Sequence, residues 1–311
     1  MGVAAGLPQS IAGYRVLAEL GRGGMGTVYL VQHPRIGRLE AMKVLTAQLS
    51  RDPEFRARFL REAALAAAVE SPGLLPVYDR DETEGLLYLT MRWVRGVDLG
   101  QLLRESPRPP VEPAVQGLAQ VAEALDALHR AGLVHRDVKP SNVLVEGGAA
   151  VPRDARPVRW FLADFGIARK IDQTTDLTGR GFLGTVPYTA PERFEGSPAT
   201  PSSDIYSFGC LAYEVLVGEP PFGRTAAEVA LAHGRRTQPH RRQVLPPRLR
   251  AAFATGLAGR PGDRPLTAER FVTSLREALD GLPPTTRIPI PGAGSAGSGD
   301  APTVTGTEGI A

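Results

Sequence analysis

The chain has 311 residues, 42% of them apolar, enough for one large two-lobed domain or two ordinary ones with a substantial core. Its net charge of +3 gives no reason to expect nucleic-acid binding. The single cysteine, Cys210, cannot close an internal disulfide and follows SFG in an apolar run, where a small buried residue is expected rather than a reactive thiol.

Residues 1–12 read as a loose arm. MGVAAG begins like a myristoylation signal but has Gly6 where Ser or Thr is wanted. YRVLAELGRGGMGTVYLVQH reads as two strands joined by a glycine loop, and EAMKVL as a third. PEFRARFLREAALAAAVE has helical periodicity, with Asp52 as its cap and Pro53 at the first helical position. LLPVYDRDETEGLLYLTMRWV predicts two more strands with a turn at Glu84–Gly85. The remainder predicts helices at Ala114–Ala131 (stopped by Gly132), Ser207–Val217, Ala226–His233, Arg248–Leu257 and Ala268–Leu282. GGAAVPRDARP, residues 147–157, reads as an exposed insertion, and residues 283–311, rich in Pro, Gly, Ser and Thr, as a disordered tail. The domain is therefore expected over 13–282, its β-rich lobe over about 13–92 and its helical lobe over about 96–282. No stretch approaches the roughly 20 apolar residues that span a bilayer, and there is no signal peptide, so a cytoplasmic location is expected.

The choice of polar residues points to chemistry. Only three of the 36 Lys and Arg residues are lysine, and two of them, Lys43 in EAMKVL and Lys139 in VHRDVKPSNVLV, sit at sites where Arg will not serve. Arg is a broad planar fork, whereas Lys is a compact charge suited to a single phosphate oxygen. The one asparagine, Asn142, lies in the same string as Lys139, at a position that calls for a neutral carbonyl oxygen.

The motifs stand in a fixed order. GRGGMGTV supplies Gly21, Gly23, Gly26 and Val28; AMK supplies Lys43; REA supplies Glu62; HRDVKPSN supplies His135, Arg136, Asp137, Lys139 and Asn142; DFG begins at Asp164. GTVPYTAPE, containing Thr185 and Glu192, follows, then DIYSFG from Asp204 and Arg264 in GDRP. A lone GxGxxG is a hairpin turn or a dinucleotide fingerprint as readily as anything else. Together the motifs resemble the protein-kinase family, in wording most like the bacterial Ser/Thr kinases related to the eukaryotic ones.

The resemblance implies an α+β, bilobal fold: an antiparallel β-rich lobe with one main helix, and a larger helical lobe. It implies ATP as the phosphoryl donor with Mg²⁺, Mn²⁺ being an alternative, and Ser/Thr side chains of proteins as acceptors. Lys43 would hold the α- and β-phosphates and pair with Glu62. Asp137 would take the acceptor's proton, Lys139 would neutralise the transferred group, and Asn142 and Asp164 would hold the metal. Leu20, Gly21, Gly23, Gly26, Val28, Ala41, Met91, Arg92, Val94, Asp98 and Leu144 would line the nucleotide site. Met91 would be its gatekeeper, Arg92 and Val94 would offer backbone to the adenine, and Asp98 would reach the ribose. The apolar members could equally be plain core. The family often has an acidic residue where this chain has Arg92. Thr185 would contact Asp137 and Lys139, and Lys139–Pro140 is the Ser/Thr version of the loop. His135, Glu192–Arg264 and Asp204 would be structural.

Arg136 before Asp137 marks kinases whose activation segment is ordered by phosphorylation, and a phosphothreonine adds about −1.5 to −2 charges. Thr178 is the favoured acceptor, then Thr175 and Thr174, with autophosphorylation through a transient homodimer. Arg235, Arg236, Arg241, Arg242, Arg248, Arg250 and Arg260 read as a solvated surface or as a docking patch for an acidic partner. Two other readings stand beside the kinase. A pseudokinase scaffold would have lost Lys43, Asp137, Asn142 or Asp164. A small-molecule kinase of the aminoglycoside type would lack the APE segment and the GRGGMG loop.

Overall fold

A computed structural model describes residues 7–106, 108–147, 159–164, 186–234, 239 and 245–280. The chain folds first into a six-stranded antiparallel sheet of order β1-β2-β3-β4-β6-β5. Its strands are β1 (Ser10–Ile11), β2 (Tyr14–Gly23), β3 (Gly26–Gln32), β4 (Leu39–Leu45), β5 (Val77–Thr83) and β6 (Leu86–Arg92). Ser10 and Ile11, expected in a loose arm, instead pair with Arg15 and Tyr14. The predicted β5–β6 turn is formed by Glu84 at φ 50° and Gly85 at φ 75°. Two successive positive φ values are what a tight two-residue hairpin turn requires.

Alternation along β4 gives the sheet two faces. Met42 and Val44 pack with Tyr14, Val16, Val31 and Tyr88 on one face. Ala41 and Leu45 pack on the other with Phe55, Phe59 and Ala63 of α2 (Pro53–Ala67). Asp52 caps α2 as expected, accepting from the backbone N–H groups of Glu54 and Phe55 at 3.1 Å. A short α1 (Ala47–Ser50) precedes it.

The second part opens with β7 (Gly96–Asp98), α3 (Leu99–Glu105) and α4 (Val111–Arg130). Strand β7 joins β8 (Val143–Glu146) and β9 (Trp160–Leu162) in a small antiparallel sheet of order β7-β8-β9. Helices α5 (Pro191–Phe194), α6 (Pro201–Val217), α7 (Ala226–Gly234), α8 (Pro247–Gly256) and α9 (Ala268–Leu279) complete it. One apolar core runs through α3, α4, α6, α8 and α9. Helix α6 starts six residues before its predicted first turn, because Thr200 and Ser203 form a reciprocal capping box and Pro201 occupies the first helical position. Helix α4 starts at Val111 rather than Ala114 and closes at Gly132, whose φ is 76°. Cys210 is fully buried, and that burial pushes its thiol pKa up, so it packs as a small apolar residue.

The two parts are joined at the back of the cleft. Leu75 N–H donates to Leu162 O at 3.0 Å and Leu162 N–H to Gly73 O at 2.7 Å. This seam brings the ends of β4 and β6 over β8 and β9.

Candidate active site

The site lies where the two sheets face one another. Lys43 projects from β4 opposite Val28 of β3, and its Nζ meets Asp164 Oδ1, two residues beyond β9, at 2.7 Å. These two groups are 121 residues apart in the chain. Beside them Asp137 is held by two neighbours. Lys139 Nζ lies 3.0 Å from Asp137 Oδ2. Asn142 Nδ2 donates to the same oxygen at 3.0 Å and to Asp137 O at 2.8 Å. Arg136 and Asp164 adopt left-handed backbone at φ 68° and 55°. Such strain in bulky or charged residues persists only where surroundings hold it, typically at functional sites.

The Arg136 backbone is held by Asp204 at the start of α6, 1% exposed. Its Oδ2 accepts from His135 N–H at 2.6 Å and its Oδ1 from Arg136 N–H at 2.9 Å. His129 Nε2 lies 2.9 Å from Oδ2. His135 is fully buried, which holds its imidazole below the usual pKa and therefore neutral. Asp137 N–H donates to its Nδ1 at 3.3 Å, so the proton resides on Nε2, 3.1 Å from Ala163 O. With both nitrogens engaged, His135 is a brace between the loop and the end of β9.

Glu62 is placed differently from expectation. Its carboxylate pairs with Arg136 Nη1, at 3.1 Å to Oε1 and 3.2 Å to Oε2, and not with Lys43, which is paired to Asp164. The carboxylate is only 10% exposed and needs a cation. Arg136 supplies one, held in reach by its anchored backbone.

The glycines of the β2–β3 hairpin separate by cause. A Cβ on Gly26 would sit 2.0 Å from Val44 O, so the fold itself demands glycine there. A Cβ on Gly21 or Gly23 would meet nothing within 4 Å. The protein does not need glycine at those two positions; a ligand lying on the backbone would. Val28, Ala41, Met91, Val94 and Leu144 converge in one cluster with Leu89, Phe161 and Ala163. Leu20 is 46% exposed and stands outside that cluster. Asp98 Oδ1 caps α3 by accepting from Gln101 N–H at 2.9 Å. Arg92 N–H donates to Pro76 O at 2.9 Å. Thr185, the candidate threonines 174, 175 and 178, and Arg235, Arg236, Arg241 and Arg242 lie outside the described residues.

Arg264 and Glu192 form the expected buried pair, bidentate at 2.7 Å for both bonds. Four contacts had no signal in the sequence. The Tyr188 hydroxyl donates to buried Glu214, which also receives Arg224 Nη2 at 3.0 Å. His129 supports Asp204, and Arg92 reaches Glu146.

Residues 14–257 match the family model described as the protein kinase domain. The chain belongs to the protein kinase family. This kinase is 40% identical over 276 residues to the serine/threonine-protein kinase PknJ of Mycobacterium tuberculosis, covering 87% of this chain and 46% of that one. It is 39% identical over 294 residues to PknF of the same species, covering 91% and 60%. The kinase thus spans about half the length of the curated relatives it matches. Among solved structures, the M. tuberculosis PknI kinase domain matches at 33% identity with a TM-score of 0.67, covering 89% of this chain and 99% of that one. The fold is therefore the bilobal α+β kinase fold. No helix among the described residues is long and apolar enough to cross a membrane.

Proposed function

We propose that this chain is a Ser/Thr protein kinase that phosphorylates hydroxyl groups of protein substrates, and that it includes itself among them. The reading is carried by the meeting of Lys43 and Asp164 at 2.7 Å beside the Asp137–Lys139–Asn142 cluster. ATP, bound with Mg²⁺, supplies the phosphoryl group, and Mn²⁺ could replace Mg²⁺. Asn142 and Asp164 would hold the metal, and Lys43 the phosphates. The open backbone at Gly21 and Gly23 fits a polyphosphate. Asp137 Oδ2 orients the acceptor hydroxyl and takes its proton, while Lys139, 3.0 Å from that oxygen, faces the charge that develops. Val28, Ala41, Met91 and Leu144 would enclose the base and exclude water. Leu20 and Asp98 would sit at the rim, and Thr185 would steady Asp137 and Lys139. The kinase unit would run over 13–282, work in the cytoplasm and pair transiently with a second copy during autophosphorylation.

Regulation would work through Glu62. With Arg136 as its partner, Glu62 is unavailable to Lys43. A phosphate on Thr178 or Thr175 would compete for Arg136, releasing Glu62 to Lys43. Arg58, one turn earlier on α2, is 8% exposed with its Nε lacking a hydrogen-bond partner among the described residues, and would serve as a second receiver for such a dianion.

The test is intact mass with phosphosite mapping after incubation in Mg·ATP, for wild type and Asp137→Asn. Phosphothreonine in wild type alone supports the reading. Phosphate in both, or in neither with a generic protein substrate supplied, removes it. A Thr175→Ala, Thr178→Ala variant that keeps full activity removes the regulatory part.

A further inference from the structure

Arg92 sits at the end of β6, where the six-stranded sheet gives way to the connection between the lobes. Its side chain does not run free. Nη2 donates to Glu146 Oε1 at 2.6 Å, and the guanidinium lies 4.8 Å from the centroid of the Phe161 ring. Glu146 ends β8 and Phe161 is central in β9, so Arg92 ties the N-terminal sheet to the small sheet below it. Arg159 closes the group, with Nη1 3.8 Å from Glu146 Oε2 and its guanidinium 5.6 Å from the same ring.

The position matters more than the pairing. Side chains two residues apart on a strand share a face, so Glu146 is on the face of β8 that carries Leu144. Phe161 is the direct cross-strand partner of Leu144. Leu144 and Phe161 belong to the same cluster as Ala41, Met91 and Val94. The contact is therefore built beside this apolar cluster, two residues along β8 from Leu144, and Arg92 directly follows Met91, a member of the cluster. Phe161 is 1% exposed, whereas Arg92 and Glu146 side chains are 31% and 30% exposed. An ion pair so exposed has little effect by itself. Stacked on the buried Phe161 ring, it ties the end of β6 to β9.

We propose that Arg92 and Glu146, seated on Phe161, are positioning residues that set the width of the nucleotide pocket and hence the affinity for ATP. They act through the spacing of Met91, Val94 and Leu144 and touch neither the transferred group nor the acceptor. The inference rests on the reading of this pocket as the ATP site.

The experiment is direct titration of Mg·ATP by calorimetry into wild type, Glu146→Gln, Glu146→Arg, Arg92→Glu and the Arg92→Glu, Glu146→Arg exchange, with thermal unfolding of each. Single variants should weaken ATP about three- to tenfold, the range for a partly desolvated charge contact with an aromatic stack. The exchange should recover part of that loss, because it restores an ion pair between the two positions but not the Arg92 stack on Phe161. In turnover, KM for ATP should rise more than kcat falls. Variants that lose thermal stability while binding ATP as wild type does would show a purely structural contact and overturn the proposal. So would an exchange variant no better than the sum of its parts. Wild type that binds no Mg·ATP would remove the nucleotide reading itself, a result distinct from either.

Discussion

Arg264→Lys and Arg264→Met should separate what charge and what shape contribute to the substrate-side lobe. The Arg264 side chain is fully buried and makes two 2.7 Å bonds to Glu192. It also donates to Ala258 O at 2.8 Å, Ser202 O at 3.0 Å and Gly259 O at 3.2 Å, and lies 4.9 Å from the Tyr206 ring centroid. Methionine fills similar volume but leaves the Glu192 carboxylate and three carbonyls without this donor. Removing one partner of a buried pair costs about 3–5 kcal/mol. Lysine keeps the charge but has no fork, so it can serve one carboxylate oxygen and at most two carbonyls; the cost should be about 1–3 kcal/mol. Urea unfolding monitored by circular dichroism gives both values, and activity should fall with the lysine variant because Glu192 belongs to the APE segment. If Arg264→Lys unfolds within about 0.5 kcal/mol of wild type, fork geometry is irrelevant and the argument from the bidentate contact is wrong.

Gly26→Ala should lower the melting temperature sharply, by about 2–4 kcal/mol of stability, because its Cβ would meet Val44 O at 2.0 Å. Gly21→Ala, with open space around it, should change stability by less than about 1 kcal/mol and act instead on ATP binding. Differential scanning calorimetry with an ATP titration distinguishes them. Asp204→Ala should cost about 3–5 kcal/mol and most of the activity, since it strands the His135 and Arg136 N–H groups that hold the catalytic loop; equal urea midpoints would refute this. Burial lowers the His233 pKa from 6.5 to about 4. The unfolded chain then binds the proton first as pH falls, so this contribution is intact above pH 6.5 and is lost progressively down to about pH 4. The total is about 3 kcal/mol at most, and His233→Gln should flatten the fall in urea midpoint between pH 7 and 5.

Much of the site was legible because its residue types are dictated by chemistry at fixed local spacing. Asp137, Lys139 and Asn142 lie within six residues, and the structure joins them as a hydrogen-bonded set. Asp52, Gly85 and Gly132 were readable for the same reason, since a cap or a turn is decided by a few adjacent residues. The partner of Glu62 was not. The family pattern pointed to Lys43, whereas the fold brings up Arg136, 74 residues away. The Arg92–Glu146 contact, spanning 54 residues, left no trace in the pattern either. With 36 basic and 33 acidic residues, sequence offers many cations to every carboxylate. Strand period and motif order set which atoms are available and which face they share. Which charges meet is decided by how the two sheets close over one another, because an ion pair forms only where the backbone paths bring its members within about 4 Å, and that distance is a property of the packed lobes rather than of any local run of residues.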